Sequence, residues 1–214
     1  MATSPKRPYR SELRAEQARQ TRRTIVEAAA TLFDEQGYGA TTIEAIAAAA
    51  GVSRKTVFDS VGGKVQLVRL AYDYAIVGDD DAVPLGDRSV VAAMEVEPDA
   101  ARMLASHAAM VAQINARITG VWRALEGAAA SDPEARELHE ALAKQRRSAM
   151  RKPVRRLVEL GALRPGVSEQ EAADLLWVFT DPSLYDKLVR QRRWSNTRFE
   201  TWLTDSLESN LLQR

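Results

Sequence analysis

One stretch constrains this chain more than any other: residues 43–64 read IEAIAAAAGVSRKTVFDSVGGK, an apolar helical run broken by a single glycine and resumed at once. Thr41 and Glu44 have the S/T-x-x-E spacing of a capping box, in which a hydroxyl accepts from a free first-turn N–H and the carboxylate reaches back. That spacing predicts a helix from about Thr42. Ile43, Ile46, Ala47 and Ala50 recur at helical intervals, and Gly51 can take the left-handed conformation that ends a helix. Ser53 is placed to cap a second helix carrying Thr56, Val57, Phe58 and Ser60, with Val52 and Val57 turned toward the first. Ala47, four residues before the glycine, is small enough for the second helix to cross closely. Two short helices joined steeply through a glycine turn place the second in a DNA major groove. On that reading Ser53, Arg54, Lys55 and Thr56, near its N-terminus, meet base edges; a surface helix hairpin in an all-helical protein is the alternative.

Upstream, Ile25, Ala29, Leu32 and Phe33 give one helical face between about Ser11 and Gln36, and Gly37 stops that helix. Downstream, a helix starting near Gly62-Gly63-Lys64 continues through Leu67, Leu70, Ala71, Tyr74 and Val77. Its free first-turn N–H groups, with Lys64, suit a phosphate, and its far end leads into the rest of the chain. Gly78-Asp79-Asp80-Asp81 ends it, and Pro84, Gly86 and Pro98 punctuate a loop with one short helix over 88–96. Three adjacent carboxylates without alternate ligand positions read as a solvated loop rather than a cation site.

With 45% hydrophobic residues, 11 glycines and no alternating β-branched runs among its 214 residues, the chain is expected to be all-α. The absence of Cys excludes disulfides, thiolate metal sites and cysteine nucleophiles. No apolar run approaches a membrane span and the N-terminus lacks a signal-peptide core, so a cytoplasmic location is expected. The net charge of +1 hides an asymmetry: residues 1–64 hold ten Lys or Arg against seven Asp or Glu, and 65–214 hold 20 against 22. The steepest excess is the tail, where Lys6, Arg7, Arg10, Arg14, Arg19, Arg22 and Arg23 face only Glu12 and Glu16. Such an arm neutralises phosphates or enters a minor groove; up to Pro8 a disordered solubilising tail is the equal alternative. The expected divisions are a basic, partly disordered arm over 1–20, a three-helix domain over 21–66, and a larger helical domain over 67–214.

From Arg22 to Val68 the chain closely resembles the N-terminal domain of TetR-type transcriptional regulators. The matching features are Ala28-Ala29, Leu32-Phe33, Gly37-Tyr38, Ala40-Thr41-Thr42, Ile46-Ala47, Ala49-Ala50-Gly51-Val52-Ser53, Thr56, the aromatic Phe58 and Lys64. The resemblance implies that Thr42, Phe58, Ser60 and Lys64 fix the register on phosphates while Ser53, Arg54, Lys55 and Thr56 read bases. Departures fall at Phe58-Asp59-Ser60-Val61, where the family usually has Tyr-x-x-Phe and often His or Tyr at the position of Ser60. Phe58 lacks the phosphate-bonding hydroxyl, Asp59 adds a negative charge, and Val61 is a smaller plug.

In the second domain a long helix is expected from Asp99 to Ala130, with Met103, His107, Met110, Ile114, Ile118, Val121, Trp122 and Leu125 along one face. Bundle core is the plain reading. The family resemblance implies instead an effector cavity lined by Met103, His107, Met110, Ile114, Asn115, Ile118 and Trp122, adaptable apolar walls with few polar groups. Ser131-Asp132-Pro133-Glu134 opens a helix to about Leu160, bent at Pro153 and closed at Gly161. Its basic run, Lys144, Arg146, Arg147, Arg151, Lys152, Arg155 and Arg156, reads as a solvated face or as a means of drawing in an acidic effector. Ser168 and Glu171 repeat the capping box. The helix that follows is apolar nearly all round at Leu175, Leu176, Trp177, Val178 and Phe179, so a second subunit is its natural cover. Asp181-Pro182 starts another segment and Ser195-Asn196 caps the last helix. The stretch DPSLYDKLVRQRRWSNTRFETWL resembles the C-terminal end of many TetR-like proteins, more loosely. It implies a homodimer through Leu176, Trp177, Phe179, Trp202, Leu203 and Leu207.

No motif for catalysis is present: His139-Glu140 lacks a second His at Ala143, and there is neither a nucleophile elbow nor a phosphate-cradling glycine loop. No metal or cofactor is expected. The expectation is a homodimeric regulator, a repressor bound to palindromic double-stranded DNA and released by a small, mainly apolar effector. One alternative is a regulator whose C-terminal domain serves only dimerisation or a protein partner. Another is a helical-bundle enzyme, for which His107 is the sole candidate titrating group.

Overall fold

The computed structural model describes residues 8–78 and 85–213, with side chains from Leu13 onward. The expectations for Lys6 and Arg7, for the Arg10 side chain, for the acid run Asp79–Asp81 and for Pro84 therefore lie outside the described residues.

Eleven α-helices follow one another among the described residues: α1 (Pro8–Ala40), α2 (Ile43–Ala49), α3 (Arg54–Ser60), α4 (Lys64–Val77), α5 (Ser89–Val96), α6 (Ala100–Ala129), α7 (Pro133–Ala149), α8 (Arg151–Glu159), α9 (Glu169–Phe179), α10 (Pro182–Tyr185) and α11 (Asn196–Leu211). The α10 turn runs on as a π-helical segment, Asp186–Gln191. No strand is formed among these residues; a single bridge joins Leu163 to Leu212. The all-α architecture expected above is thus the observed one.

Local chemistry sets most helix ends. Asp99 accepts from the N–H groups of Ala101 and Arg102, Asp132 from those of Glu134 and Ala135, Ser168 from Glu171 and Ser195 from Arg198. At Gly37 the backbone leaves helical geometry (φ 75°, ψ 173°), which kinks α1 where the sequence stops the helix. One helix predicted over about 133–160 is two. Pro153 has no N–H to give the Ala149 carbonyl, and the chain breaks at Met150 between α7 and α8.

Helix α6 is the spine of the molecule because its two halves enter different cores. Its C-terminal half, from Ile114 to Ala128, packs with Ile25, Val26, Ala29 and Phe33 of α1, Ile46 and Val57 of α2 and α3, and Leu67 and Val68 of α4. Its N-terminal half, Met103 to Ala112, packs with Leu157 of α8, Leu176 of α9, and Phe199, Leu203 and Leu207 of α11. The first core contains α4 residues beyond position 66, so α4 is built into both the helix-turn-helix unit and the larger bundle.

Gly120 permits a close approach of α1 to α6. A Cβ there would lie 2.3 Å from the Asp34 carboxylate and 2.6 Å from the Asp34 Cβ. Asp34 in turn meets Arg190 of the π-helical segment at 2.7 Å and Arg123 of α6 at 3.5 Å. At the other end of α4, Arg117 of α6 donates to the carbonyls of Ala75 and Ile76. These groups fasten the N-terminal helices to the rest.

Candidate nucleic-acid interface and effector sites

The turn between α2 and α3 is built by Gly51. With φ 67° it lets its own N–H reach the Ala48 carbonyl (3.2 Å) and the Val52 N–H reach that of Ala47 (3.0 Å), closing α2 by a Schellman arrangement. Ser53 then caps α3, accepting from the Thr56 N–H at 3.0 Å, and its hydroxyl lies 2.8 Å from that of Thr56. Ile46, Ala47 and Val57 are buried beneath. The amide end of α3, with Ser53, Arg54 and Lys55, is left exposed.

One sequence expectation is corrected here. Thr42, not Thr41, is the N-cap of α2, its Oγ1 accepting from Ala45 N–H at 3.0 Å. Thr41 is fully buried and donates to the carbonyls of Gly37 (2.8 Å) and Leu32 (3.1 Å), locking the kinked end of α1. Glu44, freed from the capping box, pairs across the motif with Arg54 at 3.1 Å.

Of the eight residues expected to face DNA, Thr42, Ser53, Arg54, Lys55 and Phe58 are exposed, and Thr56, Ser60 and Lys64 are partly so. Phe58 is 43% exposed, large for a phenyl ring, with the Arg54 guanidinium 5.5 Å above it. Lys55 is ion-paired to Asp59 one turn on. Both cationic side chains of the reading helix therefore carry an acidic partner in the free protein. Lys64 lies 4.1 Å over the Tyr38 ring, and partial burial holds its pKa below the usual lysine value.

Tyr38 borders two surface depressions of about 410 and 440 Å³, and Lys64 the second of them, at the seam between the N-terminal helices and the α6–α7 turn. The Tyr38 hydroxyl donates to Asp132 at 2.9 Å across this seam. Burial first, and then the Asp132 bond, raise the pKa of the phenol. Sequence reasoning did not find this contact, since nothing local marks a bond between residues 94 apart.

The apolar residues expected to line an effector cavity are divided between the two cores. Met103 belongs to the core around α8, α9 and α11, whereas Ile114, Ile118 and Trp122 belong to the core around α1 and α4; Met110 touches both. Asn115 donates to the Thr180 carbonyl at 3.2 Å. His107 is buried with Nε2 unpartnered, and desolvation pushes its pKa down to about 4. The α6 face is continuous along the helix, and different helices cover its two halves.

The expected dimer face is also divided. Leu176, Leu203 and Leu207 are wholly buried within this chain and present no surface to a partner. Trp177 has the guanidinium groups of both Arg146 and Arg147 5.1 Å from its ring. Phe179 and Trp202, with ring centroids 6.3 Å apart, are partly exposed beside Val178. Periodicity identified these side chains as apolar without telling an intrachain neighbour from an interchain one.

Part of the basic run is not solvated. Arg146 donates to the Trp177 carbonyl at 2.8 Å and pairs with Asp181, and its guanidinium lies 5.8 Å from the Trp122 ring. The Arg156 guanidinium donates to the Glu97 carbonyl at 2.8 Å, whereas Lys152, paired with Glu95, stays exposed. No group of three or more His, Cys, Asp or Glu is placed to hold a metal among the described residues, and none of their helices is long and apolar enough to cross a membrane.

Fold and motif together define a helix-turn-helix protein whose DNA-binding unit is docked on a larger helical domain. Residues 25–71 match the family of bacterial regulatory proteins of the tetR type. Among solved structures, the triclosan complex of SmeT, the repressor of the Stenotrophomonas maltophilia efflux pump SmeDEF, is 21% identical with a TM-score of 0.64, covering 91% of this chain and 92% of that one. NalD, secondary repressor of the MexAB-OprM multidrug efflux pump in Pseudomonas aeruginosa, is 20% identical with a TM-score of 0.66 over 92% of this chain and 98% of its own. A regulator structure from Saccharomonospora viridis in complex with choline gives 20% and 0.67 over 91% and 99%. No curated protein sequence matches the chain. Residues 25–71 thus match the family's DNA-binding model, and the chain as a whole shares the fold of these solved regulators.

Proposed function

We propose that this chain is a sequence-specific transcriptional regulator, a repressor that binds a palindromic operator as a homodimer and leaves it when a small molecule binds the helical domain. The observation that carries the reading is the exposed amide end of α3, with Ser53, Arg54 and Lys55 presented on a motif whose buried side, Ile46, Ala47 and Val57, is fully packed. Arg54 and Lys55, with Ser53 and Thr56, meet base edges; Thr42, Phe58, Ser60 and Lys64 position the motif on the backbone. Two such heads stand on the order of 34 Å apart on one face of the duplex. Phe179, Trp202 and Val178 supply exposed apolar surface for the second subunit.

Selection of bound duplexes from a random pool, with sequencing, tests the reading. A palindrome recovered with the wild type and lost with Arg54→Ala and Lys55→Ala supports it; a folded, dimeric wild type that enriches no sequence overturns it.

A specific observation favours a second reading, in which no small molecule is sensed. Met103, Ile114, Ile118 and Trp122 are packed into two cores. Under that reading operator binding is insensitive to every ligand that binds the helical domain.

A further inference from the structure

Seven buried side-chain nitrogen or oxygen atoms have no hydrogen-bond partner among the described residues, and four of them fall in one cluster: Trp122 Nε1, His139 Nε2, Arg146 Nε and Trp177 Nε1. The rings of Trp122 and His139 are 4.7 Å apart, and the Arg146 guanidinium spans the two indoles at 5.8 and 5.1 Å. Unpaired buried polar groups are uncommon in folded proteins, and a group of them calls for a partner from outside the chain. The two indoles and the guanidinium Nε can only donate, and the imidazole nitrogen donates in one of its tautomers. The missing partner is therefore an acceptor.

Charge and shape narrow its chemistry. Asp181 neutralises Arg146, but Arg147, 5.1 Å from the Trp177 ring, leaves one positive charge in excess. The walls are flat rings, which favour a flat ligand body. His139 and Trp177 are only half-buried, so the cluster reaches the surface between α7 and α9. We propose that this cluster is an effector site for a small aromatic carboxylate, its ring against Trp122 and Trp177 and its oxygens accepting from the indole N–H groups and Arg146 Nε. The inference rests on the ligand-responsive reading above and moves the site from the α6 face to the α6–α7–α9 junction. Helix α7 links the site to the reading domain, because it bears His139 and Arg146 and its N-cap is Asp132, the acceptor of Tyr38.

The test uses the full-length protein labelled with ¹⁵N at tryptophan, whose four indole N–H signals are assigned by the loss of one signal in Trp122→Phe and another in Trp177→Phe. Benzoate is the probe, and toluene, the same ring without an acceptor, is the control. The expected result is a saturable benzoate shift of the Trp122 and Trp177 signals, with Trp194 and Trp202 unmoved and toluene without the effect. Each Phe variant weakens benzoate binding roughly tenfold or more, as loss of a bond to a charged group does. No saturable shift at millimolar benzoate, or an equal response to toluene, overturns the site without reference to how the variants fold. If the indoles respond while selected operator DNA stays bound, the site stands and the effector reading falls. If another small molecule releases the DNA while leaving both indoles unmoved, that reading stands and this site falls.

Discussion

Tyr38 donates its phenolic hydrogen to Asp132, 2.9 Å away, and so joins the end of α1 to the N-cap of α7. The Asp132 carboxyl is held below the usual carboxylate range by the Ala135 N–H first and by Tyr38 next. Tyr38→Phe should keep the ring under Lys64 and lose only this bond, lowering the urea midpoint slightly. Asp132→Ala removes the cap as well and should lower the urea midpoint further than Tyr38→Phe.

The cations of α3 are already paired in the free protein. Lys55 is bound to Asp59 and Arg54 to Glu44, pairs so exposed that each contributes at most about 1 kcal/mol to folding. Asp59→Asn should leave the unfolding midpoint nearly unchanged, tighten operator binding several-fold, and steepen the salt dependence by about one counterion. Fluorescence anisotropy titrations at several salt concentrations measure both quantities. Unchanged affinity and slope would mean that Asp59 does not hold the Lys55 charge back from the DNA.

Gly120→Ala should loosen the docking of the N-terminal helices. The added methyl meets the Asp34 Cβ at 2.6 Å, an atom that cannot swing aside without moving α1. Overpacking of this kind costs about 1–3 kcal/mol. Urea denaturation should show the loss, and hydrogen exchange should rise at the α1–α6 contact before it rises around α8 and α11.

The His107 imidazole gives a pH prediction of definite sign. Its folded pKa is about 4 and its unfolded value is 6.5, so between these limits the unfolded chain binds a proton that the folded chain does not. Stability is therefore full above pH 6.5 and falls with acid, by about 1.4 kcal/mol per pH unit where the difference is one proton. Denaturant midpoints between pH 7 and 5 should show this slope in the wild type and a shallower one in His107→Leu.

The sequence by itself determined what is decided within about four residues. The helix starts at Ser53, Ser168 and Ser195, the glycine stops at Gly51 and Gly161, and the apolar faces of α1 and α6 all follow from hydrogen bonds and spacings internal to one turn. Even there the N-cap is Thr42 rather than Thr41: Thr41 has Glu44 at the capping-box spacing, but the kink at Gly37 brings carbonyls to its hydroxyl and leaves Thr42 to accept from Ala45. Tertiary structure alone decided which helix covers each half of α6 and which leucines are core rather than surface. It also joined Asp34 to Arg190, Tyr38 to Asp132 and Arg146 to Asp181. The physical reason is that burial is non-directional: an apolar or charged side chain records that it needs a partner, while the partner is chosen by how whole helices pack.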